Sequence, residues 1–232
     1  MRSTPFQCAA KKYPHRRMLK RLSPAGELFL VNLICFGPFL GISIWKLMQR
    51  QERSVVGDAD MLTVVAIEIV CGIAAALVLR ARGWKWSDFG VEHSFRLSLG
   101  GMLLFFGSTL FMSMVMGTYQ LMSGIDLTKV TKVETHVSWP VIIVVALVNP
   151  LYEEFFEVAY NLRAGLEKYG AAFMITLTTA IRFACHLDHG PIAAVTILPL
   201  GLLFGLVYWR WRRLSPLVFA HVAMDVLGLM PR

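Results

Sequence analysis

The chain has 232 residues, of which 56% are hydrophobic and only 16% charged, with a mean hydropathy of +0.58. Soluble domains carry about 25% charged residues, so the composition excludes an ordinary soluble enzyme and points to a polytopic membrane protein. The formal charge of +8 does not indicate nucleic acid, because the basic residues fall between apolar runs, as they do in cytoplasmic loops.

The first element in chain order is a basic tail, residues 1–25, with Lys11, Lys12, Arg16, Arg17, Lys20 and Arg21. It reads as a cytoplasmic topology signal in contact with anionic lipid. The apolar run after it exceeds a signal-peptide core of about 7–15 residues and is expected to stay as a first span. About 20 apolar residues cross a bilayer as a helix. Seven runs of that kind follow, at 27–48, 60–79, 97–121, 138–163, 170–187, 191–209 and 214–230. The expected fold class is therefore all-α, a polytopic membrane helical bundle with about seven transmembrane helices. The transmembrane domain occupies 26–232, and its motif-bearing core lies at about 138–230. Basic clusters at Arg80, Arg82, Lys85 and Arg96, at the 164–169 turn, and at Arg210, Arg212 and Arg213 alternate with loops poorer in Lys and Arg. This pattern predicts a cytoplasmic N-terminus and an outer C-terminus. Cys8, Cys35, Cys71 and Cys185 have neither metal-ligand spacing nor a disulfide pattern.

Several spans hold residues that lipid does not favour. The fourth contains NPLYEEFFEVAY, residues 149–160, with Glu153, Glu154 and Glu157. A charge at mid-membrane costs about 2.5–3.5 kcal/mol even on the lenient insertion scale, so a compensating partner is expected. Pro150 lacks an N–H and predicts a kink just before the acids. On α-helical spacing Glu153 and Glu157 share a face, with Glu154 about a quarter-turn away. The fifth span ends in TTAIRFACHLDHG, where Arg182 and His186 stack one turn apart. His189 sits beside the expected break at Gly190-Pro191 and reads as a wet interfacial residue. In the last span, His221 and Asp225 are again four apart, and an acid beside an imidazole fixes its tautomer and stabilises its charged form. Glu68 in the second span has no evident partner and reads as a packing or relay residue. A Glu, His, His, Asp set of this kind can deprotonate a water and stabilise an oxyanion. It can equally bind a divalent metal such as zinc.

Paired glutamates, a histidine near a span end and a final HxxxD together resemble the CPBP family, also called Abi. This family comprises the type 2 CAAX prenyl endopeptidases and the bacteriocin-processing enzymes. The carrying residues are Glu153-Glu154, His186 and His221xxxAsp225, helped by ARGWKWSDFGV after the second span and by IRFACHLDHGP. The likeness covers roughly residues 60–230. It implies an intramembrane glutamic endopeptidase, a hydrolase without a metal cofactor, acting on a peptide or protein substrate near the bilayer. It also implies a multi-pass protein of a bacterial inner membrane. Within that resemblance Glu153 is the general base and Glu154 its catalytic neighbour. His186 helps hold the water. His221, kept protonated by Asp225, stabilises the oxyanion. Two other functions compete: a non-catalytic immunity or scaffold member of the same fold, and a proton-coupled transporter, against which stands the absence of an internal repeat of broken helices.

Two positions depart from the family pattern. The first motif is usually EExxxR, and here Val158 stands where the arginine belongs. The second usually has Phe four before the histidine, and here that position is Arg182. The loss and the gain suggest that Arg182 crosses from the fifth span to form a supporting ion pair with Glu157 or Glu154.

Overall fold

The computed structural model describes residues 22–49, 55–92, 94–126, 135–187 and 194–230. Most of the basic tail, His189 and the Gly190-Pro191 break lie outside these residues. Among the described residues the chain forms an all-α bundle of seven helical rods. They are α1 (Pro24–Met48), α2 (Asp58–Arg82), α3 (Phe95–Ser123), a composite rod, α6 (Ala171–Cys185), α7 (Leu198–Trp211) and α8 (Ser215–Leu229). The composite rod consists of α4 (Trp139–Tyr152), a π-helical stretch (Glu153–Tyr160) and α5 (Asn161–Tyr169).

The helix ends follow local chemistry. Ser23 caps α1 by accepting from the Gly26 N–H at 3.1 Å, with Pro24 in the first turn. Both features satisfy or remove otherwise orphaned N–H groups. Ser94 caps α3 through the Leu97 N–H at 3.3 Å. Gly83 ends α2 at φ 96°, a left-handed conformation that glycine adopts without a Cβ penalty.

α1, α2 and α3 are long and apolar enough to cross a membrane on their own. Their outward faces carry Phe29, Leu33, Val70, Leu103, Phe106 and Leu110, all exposed. Apolar side chains on the outside are what a lipid solvent permits. The last three helices are shorter than the spans expected from the apolar runs. α6 and α8 have 15 residues each and α7 has 14. At 1.5 Å per residue they reach only about 21–23 Å, less than a hydrocarbon core of about 30 Å. Within the apolar run 191–209, α7 begins only at Leu198, after a turn at 196–197.

Two contacts set the bundle's registers. A two-residue parallel bridge pairs Val56 with Thr135 and Gly57 with His136, and Asp58 accepts from the Ser138 N–H at 2.7 Å. α2 and α4 therefore start level and run side by side. α6 and α7 approach closely through Gly201 and Gly205. A Cβ added there would come within 3.1 Å of Thr179 and 3.0 Å of Ile175 on α6. This is the small-xxx-small route to tight helix contact in a membrane, and it fixes the helix that carries Arg182.

The expected kink at Pro150 takes another form. The backbone stays helical through the proline, and at Glu153 the hydrogen bonding widens to the i→i+5 pattern until Tyr160. Such a stretch leaves carbonyls without their usual donors. The Asn161 side chain supplies them, donating to Phe156 O at 3.2 Å and Glu157 O at 3.0 Å. Asn161 is fully buried and is held by reciprocal amide bonds with Asn32 of α1, at 2.6 and 3.0 Å. At the end of the rod, Tyr160, Trp84 and Arg82 all donate to the buried carboxylate of Glu27. The π stretch is thus clamped from both α1 and α2.

Candidate active site

The π stretch places its three glutamates around one cation. Arg182 of α6 donates from Nε to Glu157 Oε1 at 2.7 Å and from Nη2 to Glu154 Oε1 at 2.8 Å. Its Nη1 lies 3.3 Å from Glu153 Oε2. The guanidinium is 2% exposed. The contact anticipated with Glu154 or Glu157 is therefore made with both, and Glu153 completes the ring. α-Helical spacing had put Glu154 on a different face from the other two. Arg182 bridges that separation by using a different guanidinium nitrogen for each acid.

Glu154 reaches further. The same Oε1 lies 2.8 Å from His221 Nδ1, and His221 Nε2 lies 3.4 Å from Asp225 Oδ1. Each ring nitrogen thus faces a carboxylate, an arrangement that the two N–H donors of an imidazolium satisfy together. The sequence paired His221 with Asp225 alone. The structure shows Glu154 as its shorter contact.

His186 ends α6. Its Nδ1 contacts Arg182 O at 2.8 Å. A carbonyl only accepts, so Nδ1 carries a proton. His186 lies close enough to Glu153 to interact with its charge. As the C-cap of α6, His186 lies one turn beyond Arg182.

The three glutamates are not equivalent. The side chains of Glu154 and Glu157 are 0% and 2% exposed, whereas Glu153 keeps 15% and Asp225 18%. Glu153 Oε2, Glu154 Oε2 and Asp225 Oδ2 are buried oxygens without a hydrogen-bond donor among the described protein atoms. Glu68, unmatched in the sequence, accepts from Asn149 Nδ2 at 2.7 Å, and the same nitrogen lies 3.2 Å from Glu153 Oε1. Asn149 was visible in the sequence, four residues before Glu153, but nothing there showed that α2 would meet it.

Glu153, Glu154 and His221 also offer ligand atoms within 4.8 Å of one another. Glu154 and His221 contact each other, and both glutamates lie beside Arg182. The guanidinium already supplies positive charge where the three carboxylates converge.

Acids, imidazoles and a buried arginine are thus gathered between the helices of a membrane bundle. Residues 135–227 match the model of the family described as "Type II CAAX prenyl endopeptidase Rce1-like". This segment carries all three motifs, and the match supports the CPBP family assignment made from them. No curated protein and no solved structure gave a match.

Proposed function

We propose that this chain is an intramembrane endopeptidase that activates water with Glu153. The observation that carries this reading is the asymmetry of the glutamates: the Glu153 side chain keeps 15% exposure, whereas Glu154 and Glu157 keep 0% and 2%. In the proposed reaction, a water oxygen attacks the peptide carbonyl carbon while its proton passes to the Glu153 carboxylate. His186 Nε2 orients that water. The oxyanion formed at the carbonyl is stabilised by the N–H of His221 Nε2, whose contact with Asp225, at 3.4 Å, is looser than that of Nδ1 with Glu154. Glu154 and Asp225 hold the imidazolium charged and oriented. Collapse of the tetrahedral intermediate breaks the C–N bond, and Glu153 returns its proton to the leaving amine. General base catalysis of this kind supplies about 10²–10⁴-fold, and removal of one oxyanion donor costs about 10²–10³-fold.

The protein is proposed to sit multi-pass in a bacterial inner membrane with its N-terminus in the cytoplasm, and to act on a peptide segment near the bilayer. The family description makes a prenylated C-terminal peptide the first substrate to try. The direct test uses purified protein in liposomes with two quenched fluorescent peptides, one ending in a farnesylated CaaX sequence and one unmodified. Hydrolysis of either is expected. A folded protein that cleaves neither, nor any other membrane-anchored peptide, favours the immunity or scaffold reading.

His221→Ala and Asp225→Ala are each expected to lose most of the turnover. Their double variant should be little worse than the more damaged single, because groups acting as one unit are not additive. Rates that multiply in the double variant would contradict this.

The mechanism is proposed to need no metal, since Arg182 already neutralises the carboxylate ring. Chelator-treated enzyme is expected to retain its activity. Stoichiometric zinc whose removal and return track activity would contradict that.

A further inference from the structure

Glu68 is the least explained acid in the molecule. It lies within α2, a helix long and apolar enough to cross a membrane, and is 2% exposed. Such a residue is expensive to keep there, and the proposed reaction does not use it. The fold places it deliberately. The Val56–Thr135 bridge starts α2 and α4 level. Glu68 lies ten residues after Asp58, and Asn149 lies ten residues after Trp139. The two therefore come to the same depth, about 15 Å along parallel helices, and meet at 2.7 Å.

Building on the proposed role of Glu153, we infer that Asn149 and Glu68 form a positioning latch for the general base. An amide nitrogen has two hydrogens. Asn149 Nδ2 directs them to Glu68 Oε1, at 2.7 Å, and to Glu153 Oε1, at 3.2 Å. Either carboxylate alone engages only one of the two hydrogens. With both, the opposite flip would aim the amide oxygen at two carboxylate oxygens, so the network admits one orientation. Glu68 thus fixes Asn149 from the neighbouring helix, and Asn149 fixes Oε1 of Glu153. The other oxygen, Oε2, faces Arg182 Nη1 at 3.3 Å, so the carboxylate is held from both sides. Glu68 and Asn149 touch no reacting atom and are positioning residues. The function of Glu68 is to accept a hydrogen bond at a set depth, so an uncharged acceptor of the same length should replace it.

The test combines kinetics with a readout that needs no turnover. On whichever reporter peptide the parent cleaves, Glu68→Leu and Asn149→Leu are each expected to lower kcat about 10–100-fold, the range for residues that orient a reacting group, with KM little changed. The double variant should match the worse single. Glu68→Gln should recover most of the rate lost in Glu68→Leu. A Glu68→Gln variant as slow as Glu68→Leu, or a Glu68→Leu variant as fast as the parent, overturns the latch. The chain contains three asparagines, Asn32, Asn149 and Asn161. Selective ¹⁵N-asparagine labelling therefore gives three side-chain amide signals in detergent. The Asn149 signal is expected to move in Glu68→Leu and to return towards its parent position in Glu68→Gln. Those of the Asn32–Asn161 pair should stay in place. An unmoved Asn149 signal overturns the latch. If the parent cleaves no peptide, the protease reading fails while the amide signals still decide the latch.

Discussion

Replacing Arg182 with alanine is expected to cause the largest loss of stability of any single change in the site. The guanidinium is almost fully buried and lies 2.7, 2.8 and 3.3 Å from Glu157, Glu154 and Glu153. Removing one partner of a buried ion pair costs about 3–5 kcal/mol, because the other charge is stranded. Here three carboxylates are stranded. Domains are stable by only about 5–15 kcal/mol, so Arg182→Ala should melt far below the parent in detergent and show no turnover. Arg182→Lys should recover part of the stability. An ammonium carries the charge but lacks the planar fork that donates to several carboxylates at once. Arg182→Leu combined with Glu157→Gln should be less damaging than the sum of the two singles, since one of the stranded charges is gone. Groups sharing a network couple by about 0.5–3 kcal/mol. An Arg182→Ala variant that melts with the parent would show that the glutamates do not depend on it.

The sequence made this clamp legible through a pair of departures, not through a motif. Val158 occupies the place where the family carries an arginine, and it is buried in the apolar core at 1% exposure. Arg182 stands one turn before His186, where the family carries Phe. A lone basic residue inside a span needs an acid, and the only cluster of acids was one span away. The bundle of seven rods was likewise readable, because lipid forces long apolar runs into helices.

Other features left no trace in composition or spacing. The π stretch is a change of hydrogen-bond partner within a rod that stays helical, and apolar periodicity does not register it. The asparagines that support the site are single polar residues in apolar runs. Asn32 and Asn161 are 129 positions apart, and Glu68 and Asn149 are 81 apart. Only the registers of α1, α2 and the composite rod bring them together. The shortness of α6, α7 and α8 was hidden because an apolar side chain does not reveal whether its backbone is helical.

The division of labour among the three glutamates was only half visible. The resemblance made Glu153 the base and grouped Glu154 with it. The geometry separates them: Glu154 has no exposure and bridges Arg182 to His221, while Glu153 faces the accessible side. Glu154 is accordingly proposed to orient the histidine and not to meet the water.

Turnover by Glu153→Gln tests the central claim most directly. Glutamine keeps the length and shape of the side chain and can still accept from Asn149, but its amide cannot take a proton from water. Arg182 retains Glu154 and Glu157, its two shorter contacts, so the fold should survive and the melting transition should stay close to the parent's. The account predicts a folded variant whose turnover of the reporter falls by at least the general-base contribution, about 10²–10⁴-fold. A folded Glu153→Gln protein that cleaves at the parent rate would contradict it, and Glu153 would not be the base.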